Sequence, residues 1–130
     1  QRMARWRATG KKAFSNKTSV PWNPITMKPY DIAADGGLSN RRVFASMAGE
    51  GDGVPDGLKV DVEGRVYCTG VNGCWVFAPD GEQLGTIVLP EIPANIGWGG
   101  SDYSSLLFTA RTSIYSMRMN VAGVVPPGAR

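Results

Sequence analysis

Few side chains in this sequence carry chemistry by type and position. There is no histidine and there are two cysteines, so nitrogen and sulfur ligands are scarce. Asp56 stands out, wedged between Pro55 and Gly57 directly before the alternating segment LKVDV. A tight turn accounts for an aspartate there, because all three residues are turn formers. A metal site also accounts for it, because a carboxylate is a ligand for a hard cation. From the residues alone the turn is the stronger reading. Asn95 in PANIG opens a later strand, where it would either satisfy turn backbone or line a cavity. Arg111, closing FTART, reads as structural, and Asp61 and Asp80 read as solvated turn or edge residues. Cys68 and Cys74 have the wrong spacing for a zinc knuckle. They flank a predicted hairpin turn, so a disulfide is conceivable, but two half-buried free thiols are expected.

The elements that must position these groups are strands. A chain of 130 residues is long enough for one domain with a core, and its 17 glycines and 9 prolines are spread out, which implies many turns. No apolar run approaches the roughly 18 residues of a membrane helix. LKVDV, RVYCTG, CWVFAP and LGTIVLP alternate or run apolar between the turns EG, VNG and DGEQ. Residues 58–90 are therefore expected to form four short antiparallel strands. One helix candidate exists, MARWRA, and it lacks an N-cap. The net charge of +3 hides an asymmetry. Residues 1–17 hold six basic residues and no acid, while the remainder holds eight basic and eleven acidic residues. That arm is short and lacks a nucleic-acid motif, so no nucleic-acid partner is expected.

The segments repeat. Asp35-Gly36 before RRVFAS matches Asp80-Gly81 before GTIVLP, 45 residues later. RVYCTG resembles SLLFTA, and CWVFAP resembles SIYSMR, with Val76 and Tyr115 39 apart. A repeat of about 45 residues built from four strands is the signature of a propeller blade, with a single sandwich or barrel as the alternative. Trp75 and Trp98 are expected to pack between blades. The predicted fold is all-β, a partial β-propeller of about two to three four-stranded blades. VAGVVPPGAR reads as a C-terminal tail, and the chain, which starts at Gln1, reads as the C-terminal part of a larger domain.

DGVPDGLKVD, WVFAPDGEQLGTI, the ANIGWGG run and LLFTART together resemble the SMP-30/gluconolactonase/luciferin-regenerating-enzyme-like family, from about Asp31 to Met119. The resemblance implies a six-bladed propeller that opens sugar lactones or similar cyclic esters around one divalent cation. That cation is usually calcium, with zinc and magnesium as alternatives. It further implies three ligands: a first-blade glutamate, an asparagine from an Asn-Gly motif, and the aspartate of a Pro-Asp-Gly motif. Only the last has a matching position here, Asp56, which is thus the implied metal ligand and catalytic base. Asn95 is expected to line the channel. Residues 1–30 match poorly, and the Asn-Gly position falls near Gln1-Arg2-Met3. Divergence, disorder or a shifted reading frame would explain that. The expected partner is a small lactone, with no nucleic acid and no membrane, and the intact protein is expected to be a monomer. With one ligand of three, the isolated chain is expected to be inactive, marginally stable and aggregation-prone. The alternative function is a non-catalytic propeller serving binding or scaffolding. Localisation stays open.

Overall fold

The computed structural model describes residues 5–8, 26–126 and 128. The chain divides into two compact units, residues 1–48 and 49–130. Among the described residues all regular structure is β. In the first unit, β1 (Arg5–Ala8) pairs antiparallel with β2 (Thr26–Ile32), Arg5 opposite Tyr30 and Ala8 opposite Met27. The one helix candidate is therefore a strand where it is described. The rest of the basic arm lies outside the described residues.

β3 (Leu38–Ser39) pairs with one end of β2 and β4 (Ala45–Ser46) with the other. Together they are one strand interrupted at residues 40–44, where Asn40 takes a left-handed φ of 50°. Asp31 holds the interruption, accepting hydrogen bonds from Asn40 Nδ2 at 2.9 Å and Arg42 at 3.2 Å. Met27, Pro29 and Ala45 are the buried side of this ribbon.

The second unit contains the predicted meander. β5 (Leu58–Val60), β6 (Val66–Gly70), β7 (Gly73–Phe77) and β8 (Gln83–Ile87) form an antiparallel sheet in chain order. β9 (Pro93–Gly99), β10 (Ser105–Ala110) and β11 (Ile114–Arg118) form a second one. The predicted 45-residue repeat is visible in the turns. Ala33 N bonds Gly37 O, Gly36 N bonds Ala33 O, and Asp35 Oδ1 accepts from Gly37 N. The same three bonds recur at Ala78, Gly81, Asp80 and Glu82. Gly36 and Gly81 supply the positive φ both turns require, 85° and 98°. A third turn, Asp61–Arg65, repeats the two backbone bonds with Gly64 at the left-handed position.

The two sheets of this unit pack face to face through Tyr67, Cys74, Ile96, Leu106 and Phe108, with Trp98 against them. Tyr67 and Trp98 meet edge to face, centroids 5.3 Å apart at 85°. Such a pair adds about 0.5–1.5 kcal/mol beyond its buried area. Trp98 thus joins sheets as expected, whereas Trp75 lies beside Phe77 on its own strand and donates to Val71 O at 2.7 Å. Cys68 faces Trp75 and Cys74 faces Thr69 across the β6–β7 ribbon. Cross-strand partners share a face, so the two thiols lie on opposite faces. Both are free and buried.

One expectation is overturned here. Asp61 is no solvated turn residue, being only 1 % exposed. Its carboxylate accepts from the Glu63 and Arg65 amides, from Arg65 Nε at 2.8 Å and from Tyr67 Oη at 3.0 Å. A strand-end carboxylate that caps its own turn and pairs with a neighbour can be buried where an unpaired one could not. The C-terminal tail is tied down at residues 122–124. Val62 N bonds Ala122 O, Val124 N bonds Val60 O, and Gly123 bridges Asp61 while bonding Tyr103 O. Asp80 is exposed in its turn, as expected.

Candidate active-site cleft

The Pro-Asp-Gly turn is held by one buried hydroxyl. Thr69 Oγ1 on β6 accepts from Gly57 N at 2.8 Å and Asp56 N at 3.3 Å. Its own proton lies within reach of the Gly57 and Ala94 carbonyl oxygens, at 3.5 and 3.4 Å. Thr69 therefore fixes the turn to β6 and also to the start of β9 in the next sheet. Gly57 makes the junction close: a Cβ there would run into the Asn95 amide oxygen and sit 2.7 Å from Asn95 Cα. The structure thus sets Asn95 against Gly57, next in sequence to Asp56, while the cleft itself is lined by Ala94 and not by Asn95. Asp56 is exposed, and its carboxylate accepts no hydrogen bond from the described residues. Asn95 is exposed too, with Oδ1 accepting from Ile96 N at 2.8 Å.

The same construction occurs one blade on. Thr109 Oγ1 bonds Asn95 O as Thr69 Oγ1 does Gly57 O. Asn95 is therefore the counterpart of Gly57, and Ala94 the counterpart of Asp56. The scaffold repeats and the carboxylate does not.

Asp56 lines an open cleft of about 380 Å³ built wholly from the second unit. Asp52 and Val54 form one wall, Ile92, Pro93 and Ala94 another, and Ala110 and Arg111 close it. The first wall is pinned from behind: Asn72 donates to Glu50 O at 3.1 Å and Asp52 O at 3.0 Å. Gly53, at φ 119°, lies so near Gly70 O that a side chain would not fit. The last wall is held by Glu91. Its carboxylate accepts from Thr112 N at 2.9 Å, from Thr112 Oγ1, and from Ser113 Oγ at 3.3 Å. The Thr112 bonds above all hold the Glu91 carboxyl below its ordinary range. Arg111, read from the sequence as structural, lines the cleft.

Thr69 and Glu91 are positions at the cleft that residue types alone do not single out. The one signal was the run FTART, whose arginine and hydroxyls share a turn. Burial, and secondarily the Asp56 charge, pushes the Cys68 thiol up to about 12. Burial, and then Cys68, does the same for Cys74. Neither thiol is a nucleophile at neutral pH.

The implied cation can be tested against these residues. Among the described residues no three His, Cys, Asp or Glu side chains converge. Of the three ligands that the family resemblance implies, Asp56 is the one position with a counterpart among these residues. The donor set on this chain does not fit the cation by itself.

Meander sheets of four and three strands, stacked face to face and repeating near 45 residues, define the blades of a partial β-propeller. The chain matches the family described as SMP-30/Gluconolactonase/LRE-like region over residues 6–112, and it belongs to that family. It is similar to regucalcin of Danio rerio, 41% identical over 85 residues, covering 62% of this chain and 28% of that protein. It is also similar to the gluconolactonase of Zymomonas mobilis, 32% identical over 72 residues, covering 55% of this chain and 20% of that one. The solved structure of a gluconolactonase from Xanthomonas campestris superposes at TM-score 0.60 and 27% identity, covering 77% of this chain and 31% of that chain. The chain thus spans under a third of the length of these relatives.

Proposed function

We propose that residues 1–130 are part of a hydrolase that opens sugar lactones or similar cyclic esters, with Asp56 as its proton acceptor. The observation that carries this is a solvent-facing carboxylate, held by Thr69 at the edge of a cleft with mostly apolar walls, in a chain of this family. The gluconolactonases among its relatives support the substrate class. A water oxygen bonds to the acyl carbon as Asp56 takes its proton, and the bond from that carbon to the ring oxygen breaks. The ring oxygen leaves as a hydroxyl with the proton from Asp56. The new acid then loses its own proton to solvent as the carboxylate.

The divalent cation, calcium or in its place zinc or magnesium, belongs in this reading to the intact parent. Asp56 is the part of its ligand set that this chain contributes, and no step above passes through it. The intact protein is read as a monomer acting on a small lactone. No helix among the described residues is long and apolar enough to cross a membrane.

Purified residues 1–130 are expected to open gluconolactone no faster than buffer, and added calcium to leave their Tm unchanged, since no site forms. In the intact protein, Asp56→Asn should lower kcat by about 10²-fold or more, with folding unaffected. Full activity in that variant would remove Asp56 from the mechanism. Activity in residues 1–130 that is lost with Asp56→Ala would remove the parent-dependent cation instead. A binding module is the outcome if the intact protein takes lactones up without opening them.

A further inference from the structure

The cleft is electrically lopsided. Asp52 and Asp56 lie on one side of it, and Arg111 is the cationic group that lines it. Among the described residues no carboxylate pairs with Arg111, although ion pairs form at Arg42, Arg65 and Arg118. The nearby Glu91 is already engaged by Thr112 and Ser113, so it fixes the turn and leaves the guanidinium to the cleft.

A guanidinium has five donors and no acceptor, and a carboxylate has acceptors only. The cleft therefore suits an acyl group set between the two sides, its oxygens toward Arg111 and its carbon toward the water that Asp56 activates, with ring hydroxyls left to donate to Asp52. We infer that Arg111 is the residue that binds the acyl oxygens, the ester carbonyl of the substrate and the carboxylate of the opened hydroxy acid. This assignment rests on the lactone-opening reading of the same cleft, and it names what that reading leaves out: which end of the substrate goes where. It also makes the product a ligand in its own right, because a planar carboxylate can take two parallel bonds from a guanidinium and a neutral ester cannot.

The test uses the intact parent protein and sodium gluconate as the probe, with neutral sorbitol as the control, followed by backbone amide NMR. Gluconate should shift the amides of residues 52–56 and 110–112 saturably, and sorbitol should not match it. Arg111→Gln should weaken gluconate binding about tenfold or more, and Arg111→Lys should keep part of it. Both variants should retain the dispersed spectrum of the parent chain, since Arg111 is exposed. Unchanged affinity in a folded Arg111→Gln chain, or no saturable shift in the parent chain, would overturn the assignment. Lactone hydrolysis is not measured, so loss of the catalytic reading and loss of this one are separate results.

Discussion

Asp61 and Asp56 lie five positions apart and have opposite fates. Asp56 follows a proline and precedes a glycine whose missing side chain lets the turn press against Asn95, so its carboxylate faces solvent. Asp61 ends β5, and four donors close around it. The Arg65 guanidinium, chiefly through its bond to Asp61, is held firmly in its charged form. Asp61→Asn keeps the shape and removes the charge, putting an amide donor where Oδ2 now accepts from both Arg65 and Tyr67. Breaking a fully buried pair costs about 3–5 kcal/mol. The Arg65 side chain is 27% exposed, so about 2 kcal/mol is expected here, read as a lowered urea midpoint at unchanged m. A loss within about 0.5 kcal/mol, typical of a surface site, would contradict the network. The two aspartates look alike in sequence, because burial is decided by which strand pairs with which.

At the scale of elements, the turns were the legible part. Asp-Gly at 35–36 and 80–81 announces a left-handed glycine after an Asx cap, and both turns have that geometry. LKVDV, RVYCTG and CWVFAP gave strands within a residue or two of those observed, because one buried face imposes period two. RRVFAS was less legible: the chain leaves the ladder at 40–44, held by Asp31, which is a tertiary fact. The cleft was legible only in its acid. Thr69 sits 13 residues beyond Asp56 and 25 before Ala94, and no local pattern marks a hydroxyl that links three segments. Thr69→Val should leave the Asp56 and Gly57 amides without their acceptor, costing about 1–3 kcal/mol. Hydrogen exchange should then rise at residues 56–57, with Thr69→Ser recovering most of the protection. Unaltered exchange there would mean the turn is held by other contacts.

The second unit as a whole is closed by its own last residues. Residues 122–124 pair with the end of β5, and Gly123 lies on the Trp98 ring with no room for a side chain. Removing everything after Val121 should expose Trp98 and free the end of β5. The expected readout is a red-shifted tryptophan emission and a lower Tm. An unshifted spectrum after this truncation would show that the clasp is dispensable. The clasp also sets a clock for the growing chain. The β5–β8 sheet has all its strands by Ile87, but its clasp arrives with Val124. At a ribosomal rate of roughly 5–20 residues per second, that gap lasts about 2–7 s. For those seconds the sheet leaves the ribosome with the end of β5 unfastened, although Trp98, made 11 residues after Ile87, is available to cover Tyr67 well before the clasp.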